Sequence, residues 1–283
     1  MSNLFIGRIN RLPVARESGC FPWATYMFVI RFADCKVMMS LLYLSLSALF
    51  FLFSPPVVAS EANGVETDVR ECVVLLHGLA RTNNSMNKIA DALGDDGYHV
   101  VNVGYPSRKE PIETLAPIHI PEALEQCRAE GSVSIHFVTH SMGGILVRYY
   151  LSIHRFDELG RVVMLSPPNK GSEVVDKLAD MPGFGLVNGP AGQQLGTADD
   201  SVPNLLGPVD YPVGVITGNK SINLVLSLLI PGDDDGKVSI ERAKVDGMLD
   251  FLVVPHTHPM IMRSDNVIAQ TKHFLLHGKF FRK

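Results

Sequence analysis

Cysteine is scarce, four in 283 residues, and tryptophan occurs once, so the chain is no disulfide-dense mini-protein. Charged residues reach only 19%. That composition excludes a disordered tail, and the glycine and proline usage excludes a collagenous rod. A surplus of positive charge is also missing: the formal charge is -4 and the pI about 6.2. An electrostatic nucleic-acid binder would show a basic face, so nucleic acid is excluded as a partner. No internal repeat and no linker breaks the chain. Apolar residues are what it has, 46% of the total, enough for one substantial core.

The apolar residues are unevenly spread. Residues 37–60 carry no charge, and residues 37–53 are almost wholly apolar. Arg31 and Lys36 precede this run, Pro55 and Pro56 break it, and Val57, Val58, Ala59 and Ser60 offer small residues to a signal peptidase. The pattern predicts an N-terminal extension and signal peptide over 1–60 and an exported protein, periplasmic or secreted. The alternative is a membrane anchor over 37–53, at the short end of the roughly 17 to 25 residues that span a bilayer. The residues before the run, with Pro13, Cys20, Pro22 and Trp23, do not resemble a signal n-region, and Met27 offers a later start. Cys35 precedes the run without the aliphatic context of a lipidation site, so acylation is not expected.

From 61 to 283 the chain reads as one mildly acidic domain. Short β-branched runs at 72–76, 98–103, 133–138, 161–165, 213–217 and 251–254 alternate with helical spacing at 86–93, 121–129, 144–154, 239–245 and 266–277. Such alternation predicts an α/β fold with a mostly parallel sheet and helices on both faces. Residues 167–209 are rich in Gly, Pro, Asn and Asp, with short helical pieces such as 173–178. An irregular connection that long is usually functional, and it reads as a cap.

One stretch carries chemistry. Between the run ending at Val138 and the helix beyond Gly144 lies Thr139-His140-Ser141-Met142-Gly143, a serine at a strand-to-helix turn with glycine two residues later. This is the pattern of a nucleophile elbow, although Thr139 stands where glycine is usual. A serine hydroxyl needs a histidine base, and the base needs an acid to hold its tautomer. The last strand is followed by Pro255-His256-Thr257-His258. His258, two residues further from the strand, is the better placed candidate, and His256 the other. For the acid, Gly232-Asp233-Asp234-Asp235-Gly236 follows the fifth strand. Three adjacent carboxylates cannot all face one imidazole, and Asp235 is preferred, with Asp199 and Asp200 as the fallback. Oxyanion donors would be the backbone N–H groups of Met142, after the nucleophile, and Leu79, after the first strand. His77 reads as structural.

These residues resemble the α/β-hydrolases, and within them bacterial triacylglycerol lipases and esterases, from about Glu71 to Phe280. Val74-Leu75-Leu76-His77-Gly78-Leu79 looks like their oxyanion strand. His140-Ser141-Met142-Gly143-Gly144 with Arg148-Tyr149 looks like their elbow and helix, and Asp235-Gly236-Lys237-Val238-Ser239 is similar to their acid loop. The resemblance implies an α/β-hydrolase fold, Asp235 as the acid, His258 as the base, and cleavage of carboxylic esters through an acyl-enzyme. It calls for no cofactor, and the calcium ligands of some such lipases have no match here. Lipid esters suit the segment 182–208 and the apolar run 222–230. Acyl transfer, thioester cleavage or a silent lipid-binding relative are the alternatives. In that sheet the strands beginning near Cys72 and following Cys127 are neighbours, so the two cysteines either bridge or remain as buried thiols.

Overall fold

The structure, a computed structural model, describes residues 70–282. The extension, the signal peptide and the anchor alternative at 37–53 lie outside them. Among the described residues no helix is long and apolar enough to cross a membrane.

The chain runs β1 (Glu71–Leu76), α1 (Asn87–Asp95), β2 (His99–Val103), α2 (Ile112–Ala129), β3 (Ser134–His140), α3 (Met142–Ile153) and β4 (Leu159–Leu165). Then follow α4 (Glu173–Leu178), α5 (Phe184–Gln193), α6 (Val202–Leu205), β5 (Val213–Gly218), α7 (Leu224–Ser227), α8 (Ile240–Ala243), β6 (Asp250–Val254) and α9 (Asp265–His277). The six strands form one sheet in the order β2-β1-β3-β4-β5-β6, every pair parallel. Parallel neighbours require crossover connections, and these carry the helices.

Alternation along the strands divides the core in two. In β1, Cys72, Val74 and Leu76 face one layer with α2 and α3, through residues such as Leu124, Ile145 and Leu146. Val73 and Leu75 face the other, with Ile89 and Leu93 of α1 and Val267, Phe274 and Leu275 of α9. Each central strand is therefore apolar on both faces, which is why these runs read as continuous rather than alternating.

Two helices are longer or more regular than the sequence signals. α2 begins at Ile112 rather than near Pro121 and holds Pro117 and Pro121 inside it. Proline removes an intrahelical donor and costs about 3 kcal/mol in a helix interior. Burial of Ile112, Leu115, Ala116, Ile120, Ala123 and Leu124 along one face outweighs that cost. Within 167–209, α5 forms despite Pro190, bending at Gly189, whose φ of 68° is open to glycine.

Cys72, at the start of β1, is bonded to Cys127, in the last turn of α2, with Cα atoms 5.7 Å apart. The bridge sits at the N-terminal edge of the sheet. Closing a loop across a separation of 55 residues stabilises the domain by about 4 kcal/mol in the chain-entropy model. Reduction is expected to lower the melting temperature by roughly 10 °C with little change in activity at low temperature. Two alkylatable thiols from these positions in the non-reduced, denatured protein would contradict it.

Candidate active site

β3 ends at His140, α3 begins at Met142, and Ser141 makes the turn between them with φ 52° and ψ -122°. A left-handed φ is strained for a serine and persists only where its surroundings enforce it. The Ser141 N–H donates to the Leu165 carbonyl of β4 at 2.8 Å, which fixes the turn to the sheet. Gly143 explains the glycine of the pattern. A Cβ there would stand 2.5 Å from the Leu76 carbonyl oxygen, so α3 can start this close to β1 only if position 143 has no side chain.

Ser141 Oγ lies 3.1 Å from His258 Nε2, and His258 Nδ1 lies 2.8 Å from Asp235 Oδ2. Asp235 is fully buried. Its second oxygen accepts the N–H groups of Lys237 and Val238 at 3.0 and 2.9 Å. Desolvation pushes this carboxyl up, but the charge and hydrogen bond of His258 and the Val238 N–H outweigh it, so the group is held below its ordinary value. An ionised Asp235 accepts Nδ1–H and leaves the Nε2 lone pair facing Ser141. The backbone ties the same loops together, since the His258 N–H donates to the Asp235 carbonyl at 2.8 Å.

The other sequence candidates lie elsewhere. His256 Nε2 is 2.8 Å from Ser264 Oγ at the cap of α9. Asp234 accepts from Ser227 Oγ and the Gly236 N–H. Asp233, Asp199 and Asp200 are exposed. His77 is buried and stacked on Tyr105 at 4.0 Å, and the Tyr105 hydroxyl donates to its carbonyl. It supports the turn that carries Leu79. In that turn Ala80 adopts φ 56°, and its N–H donates to Ser107 Oγ at 3.1 Å. The N–H groups of Leu79 and Met142 make no hydrogen bond among the described residues, as two donors reserved for an oxyanion would require.

His140 was not singled out by sequence. It is buried, and its Nε2–H donates to the His258 carbonyl at 3.0 Å, holding the loop that carries His258. Burial and the neighbouring His258 keep it well below the usual histidine range, so it stays neutral. The available signal was its place as the last residue of β3, with its side chain on the opposite face from Thr139.

A pocket opens on Ser141, His140 and His258. Its walls are mainly apolar and come from Leu79, Pro168, Val174, Val175, Phe184 and Leu195. Most of these belong to the segment 167–209. Ile222, Val225 and Leu228 of the run 222–230 are 76%, 70% and 86% exposed, while Ile230 is buried.

No protein family and no curated protein is matched by the sequence. Solved structures are. Lipase BlEst2 from Bacillus licheniformis in its mature form is 18% identical, with a TM-score of 0.56, over 74% of this chain and 93% of that one. Phospholipase PlaB from Legionella pneumophila is 17% identical, with a TM-score of 0.60, over 72% of this chain and 56% of that one. This chain thus spans little more than half of PlaB. At such identities the likeness is one of architecture: the chain has the α/β-hydrolase fold.

Gly143→Ala should destabilise the protein by about 1 to 3 kcal/mol through its clash with Leu76, read from denaturant unfolding; an unchanged midpoint would refute the close approach. The pH dependence has a definite sign. His77, His136 and His140 are lowered from 6.5, each chiefly by burial. Below that value the unfolded chain binds protons that the folded one does not, so stability falls as pH drops beneath 6.5. Asp235, held under 3.8, adds a loss only at lower pH. Equal unfolding midpoints at about pH 8 and about pH 5.5 would contradict the neutral histidines.

Proposed function

We propose that the protein is a serine hydrolase of carboxylic esters, with lipid esters as the substrate class and an acyl-enzyme as the intermediate. The observation that carries this is the hydrogen-bonded line Ser141, His258, Asp235, its serine lining a mainly apolar pocket.

In this mechanism Ser141 Oγ attacks the carbonyl carbon as its proton passes to His258 Nε2. Asp235 stabilises the imidazolium from Nδ1 and stays ionised. The carbonyl oxygen, now an anion, takes the N–H donors of Leu79 and Met142, which need not reorganise. His258 then protonates the departing alcohol, which leaves the acyl group on Ser141. Water, deprotonated by the same imidazole, releases the acid and restores the serine. No cofactor enters any step.

The acyl chain would lie along Val174, Val175, Phe184 and Leu195, with residues 167–209 acting as a cap. Exposed Met181, Leu186 and Val187 on this segment, with Ile222, Val225 and Leu228 beyond the fifth strand, are apolar side chains that a lipid substrate could meet. The names of the structural relatives, a lipase and a phospholipase, agree with this class. Export with cleavage near Ser60 is the location we infer; a disulfide belongs in an oxidising compartment.

A fluorophosphonate should label Ser141 in the parent and nothing in Ser141→Ala. Turnover of chromogenic esters across a chain-length series should fall by about 10³-fold or more in Ser141→Ala and His258→Ala, and far less in His256→Ala. Labelling absent from the parent would leave a silent lipid-binding relative in place of an enzyme. Activity within about tenfold of the parent in Ser141→Ala would overturn the nucleophile.

A further inference from the structure

Two cations, Arg81 and Lys237, line the same pocket as Ser141 and His258. They come from different loops. Arg81 stands two residues beyond Leu79, after β1, and Lys237 two residues beyond Asp235, after β5.

Neither has an ion-pair partner among the described residues, whereas other bases of this acidic chain do: Arg128 with Glu158, Arg155 with Asp210, Arg242 with Glu173, Lys272 with Asp96. No carboxylate lines the pocket. Asp235 lies closest in sequence to Lys237, but its two oxygens are taken by His258 and by backbone N–H groups.

The two charges also feel each other. Lys237 is exposed, yet desolvation and then repulsion from Arg81 lower it, against a smaller pull upward from Asp235. Both cations act on His140, the residue next to the nucleophile, so the pair lies within electrostatic reach of the reacting centre. Like charges held together over apolar walls are unfavourable until an anion joins them.

The anion's chemistry follows from the count. One carboxylate would neutralise one cation, whereas a phosphate ester carries about -1.5 to -2 and has oxygens enough for an arginine fork and an ammonium together. The apolar walls are suited to the acyl chain, which leaves the phosphate on the alcohol side. Resting on the hydrolase reading above, we infer that Arg81 and Lys237 form an anion site for the alcohol portion of the substrate, which is an acyl ester of a phosphate-bearing alcohol such as an acylated glycerol phosphate.

The test compares matched esters in the full chain: octanoyl glycerol, octanoyl glycerol phosphate and the octanoyl ester of glycerate, with the parent, Arg81→Gln, Lys237→Gln and the double variant, each also titrated with a fluorophosphonate. The parent should favour the phosphate ester over octanoyl glycerol by about tenfold or more in kcat/KM. The double variant should bring that ratio near one, and raising salt from about 0.05 M to about 0.5 M should shrink it in the parent, because accessible cations are screened. Vesicles of phosphatidic acid against vesicles of diacylglycerol in neutral lipid form a further arm. A preference confined to vesicles assigns the phosphate to a membrane lipid headgroup, one present with the soluble esters assigns it to single molecules, and both support the site. A ratio near one in the parent, or a preference that survives in the double variant, overturns it while fluorophosphonate labelling remains intact. A glycerate ester favoured as strongly as the phosphate ester overturns the choice of phosphate. Absence of both labelling and turnover in the parent overturns the hydrolase reading, and the substrate site with it.

Discussion

The turn at Ser141 is the constraint around which the described structure is arranged. A serine with φ near 52° is held against its own backbone preference by the end of β3, the start of α3 and a hydrogen bond to β4. It is not alone. The three non-glycine residues with positive φ among the described ones are Ala80, Ser141 and Ser166, and each follows a strand of the sheet's centre: β1, β3 and β4. Strain of this kind costs about 1 to 3 kcal/mol per residue. Each is countered locally, Ala80 by Ser107, Ser141 by Leu165 and Ser166 by a bond from its N–H to Ile216. Two well-packed apolar layers beneath them absorb the rest.

Because all six strands are parallel, their C-terminal ends lie on one edge, and loops from β1, β3, β5 and β6 meet there. That topology brings residues 117 positions apart, Ser141 and His258, within a hydrogen bond. The fine placement comes from backbone carbonyls. His140 holds the carbonyl of His258, and the His258 N–H holds the carbonyl of Asp235. A neutral histidine suits the first of these places. It donates one hydrogen bond without placing a positive charge beside the His258 imidazole.

How much of this was legible in the sequence depends on the range of the forces involved. Strand runs such as 72–76 and 213–217 are visible because both faces are buried, so composition alone marks them. The elbow is visible because the close approach of α3 to β1 leaves Gly143 no substitute. Asp235 could be preferred among its neighbours, and its distinction is plain in space: Asp234 turns to Ser227 and the Gly236 N–H, while Asp235 turns inward. The first half of α2 was hidden because Pro117 and Pro121 argue locally against a helix that tertiary burial stabilises. The contact made by His140 and the pocket shared by Arg81 and Lys237 were hidden for a different reason. Each depends on what is absent or present across the fold: a carbonyl 118 residues away, or the lack of any carboxylate in a shared pocket.

The walls of the pocket follow a different rule from its floor. Residues 167–209 belong to no strand of the sheet, yet both ends of the segment are clasped by one side chain. Arg148 of α3, almost fully buried, donates to the Asn169 carbonyl at 2.8 Å and to the Gly207 carbonyl at 2.6 Å. Burial pushes its guanidinium down to about 10, still charged at neutral pH, and charge-assisted donors are stronger than neutral ones. The start of the segment is tied again to the loop of the acid: Ser172 Oγ donates to the Lys237 carbonyl at 2.7 Å, and Arg242 bonds Glu173 and the Lys170 carbonyl. The anchors therefore sit on α3, which the elbow starts, and on the loop that carries Asp235. Between them Met181, Leu186 and Val187 project their side chains into solvent, and the Val187 carbonyl accepts from Arg108 at 3.4 Å. None of the three lines the pocket, so they shape the outer surface of the segment, while Val174, Val175, Phe184 and Leu195 shape the walls beside Ser141 and His258.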